Sequence, residues 1–230
     1  YSLPHEEFDI RNQGSPRKAN YKKFLQNLRN RSKKEDFAAS IQKLAEYVMI
    51  ERCRFARRFG SKLILTGGCA QNIVAASLIK PMFDDMWIPV APSDSGSALG
   101  AAAYTYCRQN GVDRIKWEDP YLGYDIKRDI NPKEVVKHLL EHTFCGVANG
   151  RAEFGPRALG NRSLIADVRY PIRDTVNSIK RRQKFRPFAP AVLEEFAGEY
   201  FEGPMNEYMQ YVSKAKHDYK SVTHVDGSAR

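Results

Sequence analysis

Between residues 62 and 108 the chain runs twice through one order: a short apolar segment, a glycine turn, a helix-forming stretch. Lys62 to Leu65 predicts a buried strand, Thr66-Gly67-Gly68 a turn, and Ala70 to Lys80 a helix stopped by Pro81. Met86 to Val90 predicts the second strand, Ala91 to Gly96 the second turn, and Ala98 to Arg108 the second helix. Strands that alternate with helices in this way indicate α/β architecture.

The flanks fit the same class. Ser32 and Glu35 have capping-box spacing ahead of Phe37, Ile41, Leu44 and Val48, which recur at helical intervals. Arg52, Arg54, Arg57 and Arg58 crowd the expected C-terminal end, where cations oppose the helix dipole, and Gly60 offers a stop. Residues 1–31 read as an irregular arm with a short helix near 21–28. Residues 110–130 lack periodicity and contain Asn110-Gly111, Pro120 and Gly123, which predicts a linker and a domain boundary near 125. Asn131-Pro132-Lys133-Glu134 then opens a helix, and Phe144 to Ala148 predicts a strand.

Charge narrows the function. Lys and Arg outnumber Asp and Glu by 37 to 27, so the chain carries +10 and suits an anionic partner. No apolar run is long enough to span a bilayer and no leader-like start is visible, so a cytoplasmic protein is expected. Four scattered cysteines form no CxxC pair, which argues against a zinc site, and Cys69 reads as a small packed residue.

The glycine turns leave two readings open. Gly67 and Gly68 either make a tight turn or let backbone approach an anion at a helix N-terminus, beside Asn72. Asp94 either caps the next helix or holds a metal or orients a phosphate. Gly100 and the alanines after it predict close helix packing.

The second half is more specific. Gly150-Arg151-Ala152-Glu153-Phe154-Gly155-Pro156-Arg157-Ala158-Leu159-Gly160-Asn161-Arg162-Ser163 sets three arginines among glycines, and Lys180-Arg181-Arg182-Gln183-Lys184-Phe185-Arg186 follows. Eight arginines between 151 and 186 face three acids, Glu153, Asp167 and Asp174. Arginine presents a planar fork suited to phosphate, and glycines let forks and backbone N–H groups converge, so an anion pocket is expected. Phe185 and Phe188 read as core.

These segments resemble the NodU/CmcH-type O-carbamoyltransferases. The motif at 150–163 is specific to that family, and Lys180 to Pro190 and His224 to Arg230 are further matches, as are Gly67 to Asn72 and Pro92 to Gly100. The resemblance implies the C-terminal part of an actin/Hsp70-like ATPase-type domain over residues 1–125. A truncated YrdC-like domain that binds carbamoyl phosphate and ATP follows over 126–230. It implies conversion of carbamoyl phosphate and ATP to a carbamoyl-adenylate, then transfer to a hydroxyl of a small-molecule acceptor. The cofactors implied are ATP and a divalent metal, iron or magnesium, with Asp94 as a metal ligand. The expected catalytic set is Arg157, Arg162, Lys180 and His224. Arg151, Ser163, Arg182, Arg186 and Arg230 are expected to bind carbamoyl phosphate or nucleotide, and Gly67, Gly68 and Asn72 a nucleotide in the first domain. Val168 and Gln183 depart from the family pattern. The family's paired-histidine metal motif is not found, His5 being the single early histidine, so the sequence reads as an internal fragment or an unusually reduced relative. The rival expectation is an RNA-binding or tRNA-modification-related protein without catalysis. It is disfavoured because the arginines cluster with glycines instead of alternating with exposed aromatics.

Overall fold

The computed structural model describes residues 23, 25–27 and 29–230. The arm expected over residues 1–22 lies outside the described residues. Of the short helix expected near 21–28, residues 23 and 25–27 are helical, and residues 29–31 are helical where an irregular stretch was expected. The chain divides after Val48 into two compact units.

Helix α1, Lys34–Arg57, begins two residues after Ser32. Lys33, not Ser32, supplies the carbonyl that takes the Phe37 N–H, at 3.0 Å. In the first unit, Phe37, Ile41, Leu44 and Val48 form a half-buried stripe. Glu46 is buried on α1, where Lys43 Nζ at 2.8 Å and Gln42 Nε2 at 3.0 Å donate to its carboxylate. Pairs three and four apart share one helix face, so this acid is satisfied within its own helix.

In the second unit, β1 (Lys62–Ile64) pairs parallel with β2 (Asp85–Trp87). Their crossover is α2, Ile73–Ile79, with short 3₁₀ turns at Gly68–Gln71 and Lys80–Met82. The expected single helix is interrupted because Asn72 caps α2: its side chain accepts from Ala75 N–H at 3.2 Å. Ala70, Ala76, Ile79, Phe83, Met86, Ile88 and Cys53 pack into one buried cluster. Removing these apolar groups from water is the main force holding strands this short together.

Helix α3, Asp94–Asn110, is longer than expected and ends on Gly111 in the left-handed region. It has no buried residue, and Tyr104 is two-thirds exposed. The packing expected of Gly100 and its alanines is therefore corrected, since small residues favour packing only where another backbone approaches.

The rest of the unit is mixed α/β. A two-residue strand β3, Asp125–Ile126, precedes α4, Pro132–His142. Asn131 caps α4, its side chain accepting from Lys133 N–H at 3.1 Å. Strands β4 (Phe144–Ala148) and β6 (Arg162–Ala166) pair antiparallel, with Ala148 opposite Arg162. Strand β5 (Gly150–Arg151) pairs with β3. Helices α5 (Arg173–Ile179) and α6 (Glu194–Tyr200) follow. A three-stranded antiparallel sheet closes the unit: β7 (Phe201–Glu202), β8 (Ser213–Ala215) and β9 (Ser228–Ala229).

The segment before β8 is tied to the β1–β2 layer. Gln210 Nε2 donates to the carbonyls of Ile88 at 2.9 Å and Pro89 at 3.0 Å. Tyr211 enters the apolar cluster, and Ser77 Oγ accepts from Val212 N–H at 2.7 Å. No helix among the described residues is long and apolar enough to cross a membrane.

Candidate functional site: an arginine cluster beside a cavity

Four arginines from three separate places come together. Arg157 lies on the loop between β5 and β6, Arg182 and Arg186 follow α5, and Arg230 follows β9. Burial and the charges of Arg186 and Arg182 push Arg157 below the ordinary arginine range. Burial, with Arg157, Arg186 and Arg182 beside it, pushes Arg230 down to about 10. Burial and Arg186 lower Arg182, and burial and Arg182 lower Lys180. Each shift has the same meaning: burial and neighbouring cations disfavour the charged form, and among the described residues no carboxylate is a cause that offsets them. Among the described residues the Nε atoms of Arg182 and Arg230 are buried without a hydrogen-bond partner. Such groups are costly in the absence of an anion and ready for one.

The backbone fixes this arrangement. Asn177 is fully buried, and its Nδ2 donates to the carbonyls of Arg186 at 2.8 Å and Lys184 at 3.3 Å. Arg182 N–H returns a bond to the Asn177 carbonyl at 2.8 Å. Lys180 Nζ and Arg182 Cζ lie 5.8 and 5.5 Å from the centre of the Phe188 ring, which offers both a weak electrostatic partner. Phe185, expected in the core, is 72% exposed, because the turn that aims Arg182 and Arg186 faces its ring outward.

The other expected residues make contacts of a different kind. The Arg162 guanidinium donates to the carbonyls of Asn149 (2.7 Å), Asn161 (2.8 Å), Tyr124 (2.9 Å) and Gly150 (3.1 Å). Arg151 donates to Leu122 and Gly123 carbonyls, at 3.3 and 3.4 Å. Both guanidiniums are committed to holding the β3–β5 corner. Ser163 Oγ accepts from Gly160 N–H at 3.1 Å. His224 is exposed, with Nδ1 3.7 Å from Asp226.

Glu153, which sequence reasoning counted only as an offsetting acid, is the residue it missed. Its Oε1 accepts three backbone N–H groups, from Leu159 (2.7 Å), Asn161 (2.7 Å) and Arg162 (3.2 Å). Burial would raise its carboxyl, but these donors and its own N–H outweigh that and hold it below the usual range. The available signal was the lone acid of residues 150–163, set among three arginines.

A cavity of about 610 Å³ borders the cluster at Arg230. Phe201, Met205, Met209 and Tyr211 line its apolar part, and Glu194 and Asn206 are among its polar groups. Volume and lining are those of a small-molecule site.

The glycine turns lie side by side. Gly67 N–H and Thr66 Oγ1 donate to the Pro92 carbonyl at 2.6 and 3.2 Å, and Gln71 Nε2 reaches Ser93 Oγ at 3.2 Å. They follow the C-terminal ends of two parallel strands, where α/β folds hold ligands. Asp94 is exposed in the first turn of α3, and no capping bond comes from Ser93. Among the described residues no group of three or more His, Cys, Asp or Glu converges to hold a metal. Asp94 offers a metal one carboxylate, so a metal there would need further ligands beside it. Cys69 is exposed, not packed.

Fold and site thus define an α/β protein with an unneutralised arginine cluster beside a cavity. Two family models match: "Carbamoyltransferase N-terminus" over residues 5–103 and "Carbamoyltransferase C-terminus" over 136–230. Nodulation protein U of Rhizobium tropici is 33% identical over 219 residues, covering 85% of this chain and 38% of that protein. Nodulation protein NolO of Bradyrhizobium diazoefficiens is 33% identical over 230 residues, covering 85% and 42%. A Methanocaldococcus jannaschii protein is 32% identical over 251 residues, covering 93% and 41%. The chain belongs to the carbamoyltransferase family. It spans about two fifths of the length of these curated relatives.

Proposed function

We propose that the chain is part of an enzyme that converts carbamoyl phosphate, ATP and water to a carbamoyl-adenylate, phosphate and pyrophosphate, and passes the carbamoyl group to a hydroxyl of a small molecule with release of AMP. The observation that carries this reading is the set of guanidiniums at 157, 182 and 230, partly buried beside the exposed Arg186, each lowered by burial and by neighbouring cations. A dianion such as carbamoyl phosphate would relieve that repulsion. Fixed cations already aimed at phosphoryl oxygens stabilise charge as it develops there without reorganising, which is usually the largest catalytic contribution.

In this reading Arg157, Lys180, Arg182, Arg186 and Arg230 hold the phosphoryl groups. The cavity at Arg230 receives the nucleoside of ATP, whose phosphates then face the cluster. Arg162, Arg151 and Ser163 keep the motif loop in shape. His224, steadied by Asp226, moves a proton at the rim. Gly67, Gly68 and Asn72 face a nucleotide in the first domain, and Asp94 would add one ligand to a metal whose other ligands come from elsewhere. Residues 1–125 then belong to an actin/Hsp70-like domain and 126–230 to a YrdC-like one, in a cytoplasmic enzyme.

The test is carbamoyl-phosphate-dependent release of pyrophosphate from ATP by the intact protein. Release that falls at least about 100-fold in Arg157→Ala is the expected outcome, the scale seen when one preorganised donor is removed. Equal release with and without carbamoyl phosphate would overturn the proposal.

One observation favours the rival. Phe185 stands exposed inside the basic run, as a base-stacking ring would. RNA binding that is tight at low salt and falls steeply with added salt would support that reading.

A further inference from the structure

We propose that Glu153 is a positioning residue whose carboxylate closes the loop carrying Arg157 and so keeps that guanidinium in the arginine cluster. The proposal rests on reading the cluster as an anion site. It adds a residue that touches no ligand.

Glu153 sits in an arginine-rich motif, yet among the described residues its carboxylate pairs with no guanidinium. Oε1 instead gathers the N–H groups of Leu159, Asn161 and Arg162. Arg157 lies between the carboxylate and the segment it gathers, so those bonds turn residues 153–162 into a closed loop with Arg157 on it. Gly155 (φ 130°) and Gly160 (φ 117°) supply the turns. A Cβ at Gly155 would meet the Val90 carbonyl oxygen at 3.1 Å, so the loop also abuts the second glycine turn. Tyr121 Oη donates to the Leu159 carbonyl at 3.3 Å, and Asn161 Nδ2 to the Arg151 carbonyl at 2.8 Å.

The loop has work to do. Arg157 is pressed by Arg186 and Arg182 and, among the described residues, has no acid to hold it. Repulsion drives a free side chain toward water, where each charge is better solvated. A loop closed through its backbone resists that drift without placing a competing carboxylate beside the anion. An acid paired to Arg157 would hold it equally well but would neutralise it.

The sign of one measurement separates positioning from electrostatics. Removing a carboxylate makes the region more positive, so electrostatics alone predicts tighter anion binding in any Glu153 variant. Loss of positioning predicts weaker binding. Inorganic phosphate is titrated calorimetrically into the wild type, Glu153→Ala, Glu153→Gln and Arg157→Ala. Glu153→Ala is expected to bind at least about tenfold more weakly, the equivalent of a lost strong hydrogen-bond set. Glu153→Gln keeps an acceptor oxygen in place and is expected to lose about threefold or less. Amide exchange at Leu159, Asn161 and Arg162 is expected to quicken in step with lost affinity. Should Glu153→Ala unfold by circular dichroism, the Gln variant's affinity and amide exchange decide. Quickened exchange with wild-type or tighter phosphate binding overturns the proposal. Wild-type affinity in Arg157→Ala overturns the anion-site reading itself. Lost affinity in Arg157→Ala beside full affinity in both Glu153 variants overturns only the role of Glu153.

Discussion

Arg162 and Arg157 belong to one fourteen-residue motif and are put to opposite uses. At the β3–β5 corner, Arg162 meets four carbonyl oxygens, and Arg151 meets two more nearby. At the cluster, Arg157 meets other cations and, among the described residues, no offsetting acid. The corner satisfies its guanidiniums and gains stability from them. The cluster leaves its guanidiniums unsatisfied, which costs stability and keeps them available to an anion. A basic motif can therefore serve the fold and the ligand at once, divided residue by residue.

Substitutions at the two regions should accordingly fail in different ways. The largest effect is expected from Arg162→Ala, which leaves four carbonyls without their shared donor. Unfolding free energy from urea titration should fall by about 3 kcal/mol, with Arg162→Lys recovering only part because an ammonium has no fork. Asn177→Ala should cost about 2 kcal/mol, since it strands the Lys184 and Arg186 carbonyls against a buried site, and should weaken phosphate binding as Arg186 loosens.

Arg157→Ala should invert the pattern. Phosphate affinity should fall at least about tenfold, or 1.4 kcal/mol. Thermal stability without phosphate should hold or rise, because a repelling charge has gone. A Tm that falls as far as in Arg162→Ala would erase the distinction between the regions.

A smaller effect belongs to Glu153. Its folded carboxyl lies below the unfolded value, so its contribution is complete above the unfolded range near pH 4.3 and is lost as pH falls through the lowered folded value. Between about pH 4.5 and 3, Glu153→Gln should lose less stability than the wild type, by under about 1 kcal/mol. The smallest effect is expected from Phe188→Leu, which removes a ring shared by Lys180 and Arg182. It should weaken phosphate binding by about twofold, on the scale of an exposed cation–π contact.

The elements were more legible in the sequence than the division of labour among arginines. The Phe144–Ala148 strand and the Asn131 cap stand where the pattern puts them, because local propensity and apolar periodicity decide them. The helix expected near residue 70 is divided because Asn72 prefers to cap, and among the described residues the alanines of α3 are not buried. Arg162 and Arg157 are alike as letters. Strand register decides between them: it sets Arg162 opposite Ala148 at the end of β4, within reach of the Asn149 and Gly150 carbonyls, and leaves Arg157 on the loop. Arg182, Arg186 and Arg230 could be suspected together from composition. Their meeting depends on Asn177 and on the antiparallel pairing that brings β9 beside β8.

Calorimetric titration of carbamoyl phosphate into the wild type and into an Arg157→Ala, Arg230→Ala double variant reaches the central claim most directly. Saturable binding to the wild type that disappears in a folded double variant is the predicted result. Equal affinity in the two proteins would show that these guanidiniums do not hold the anion.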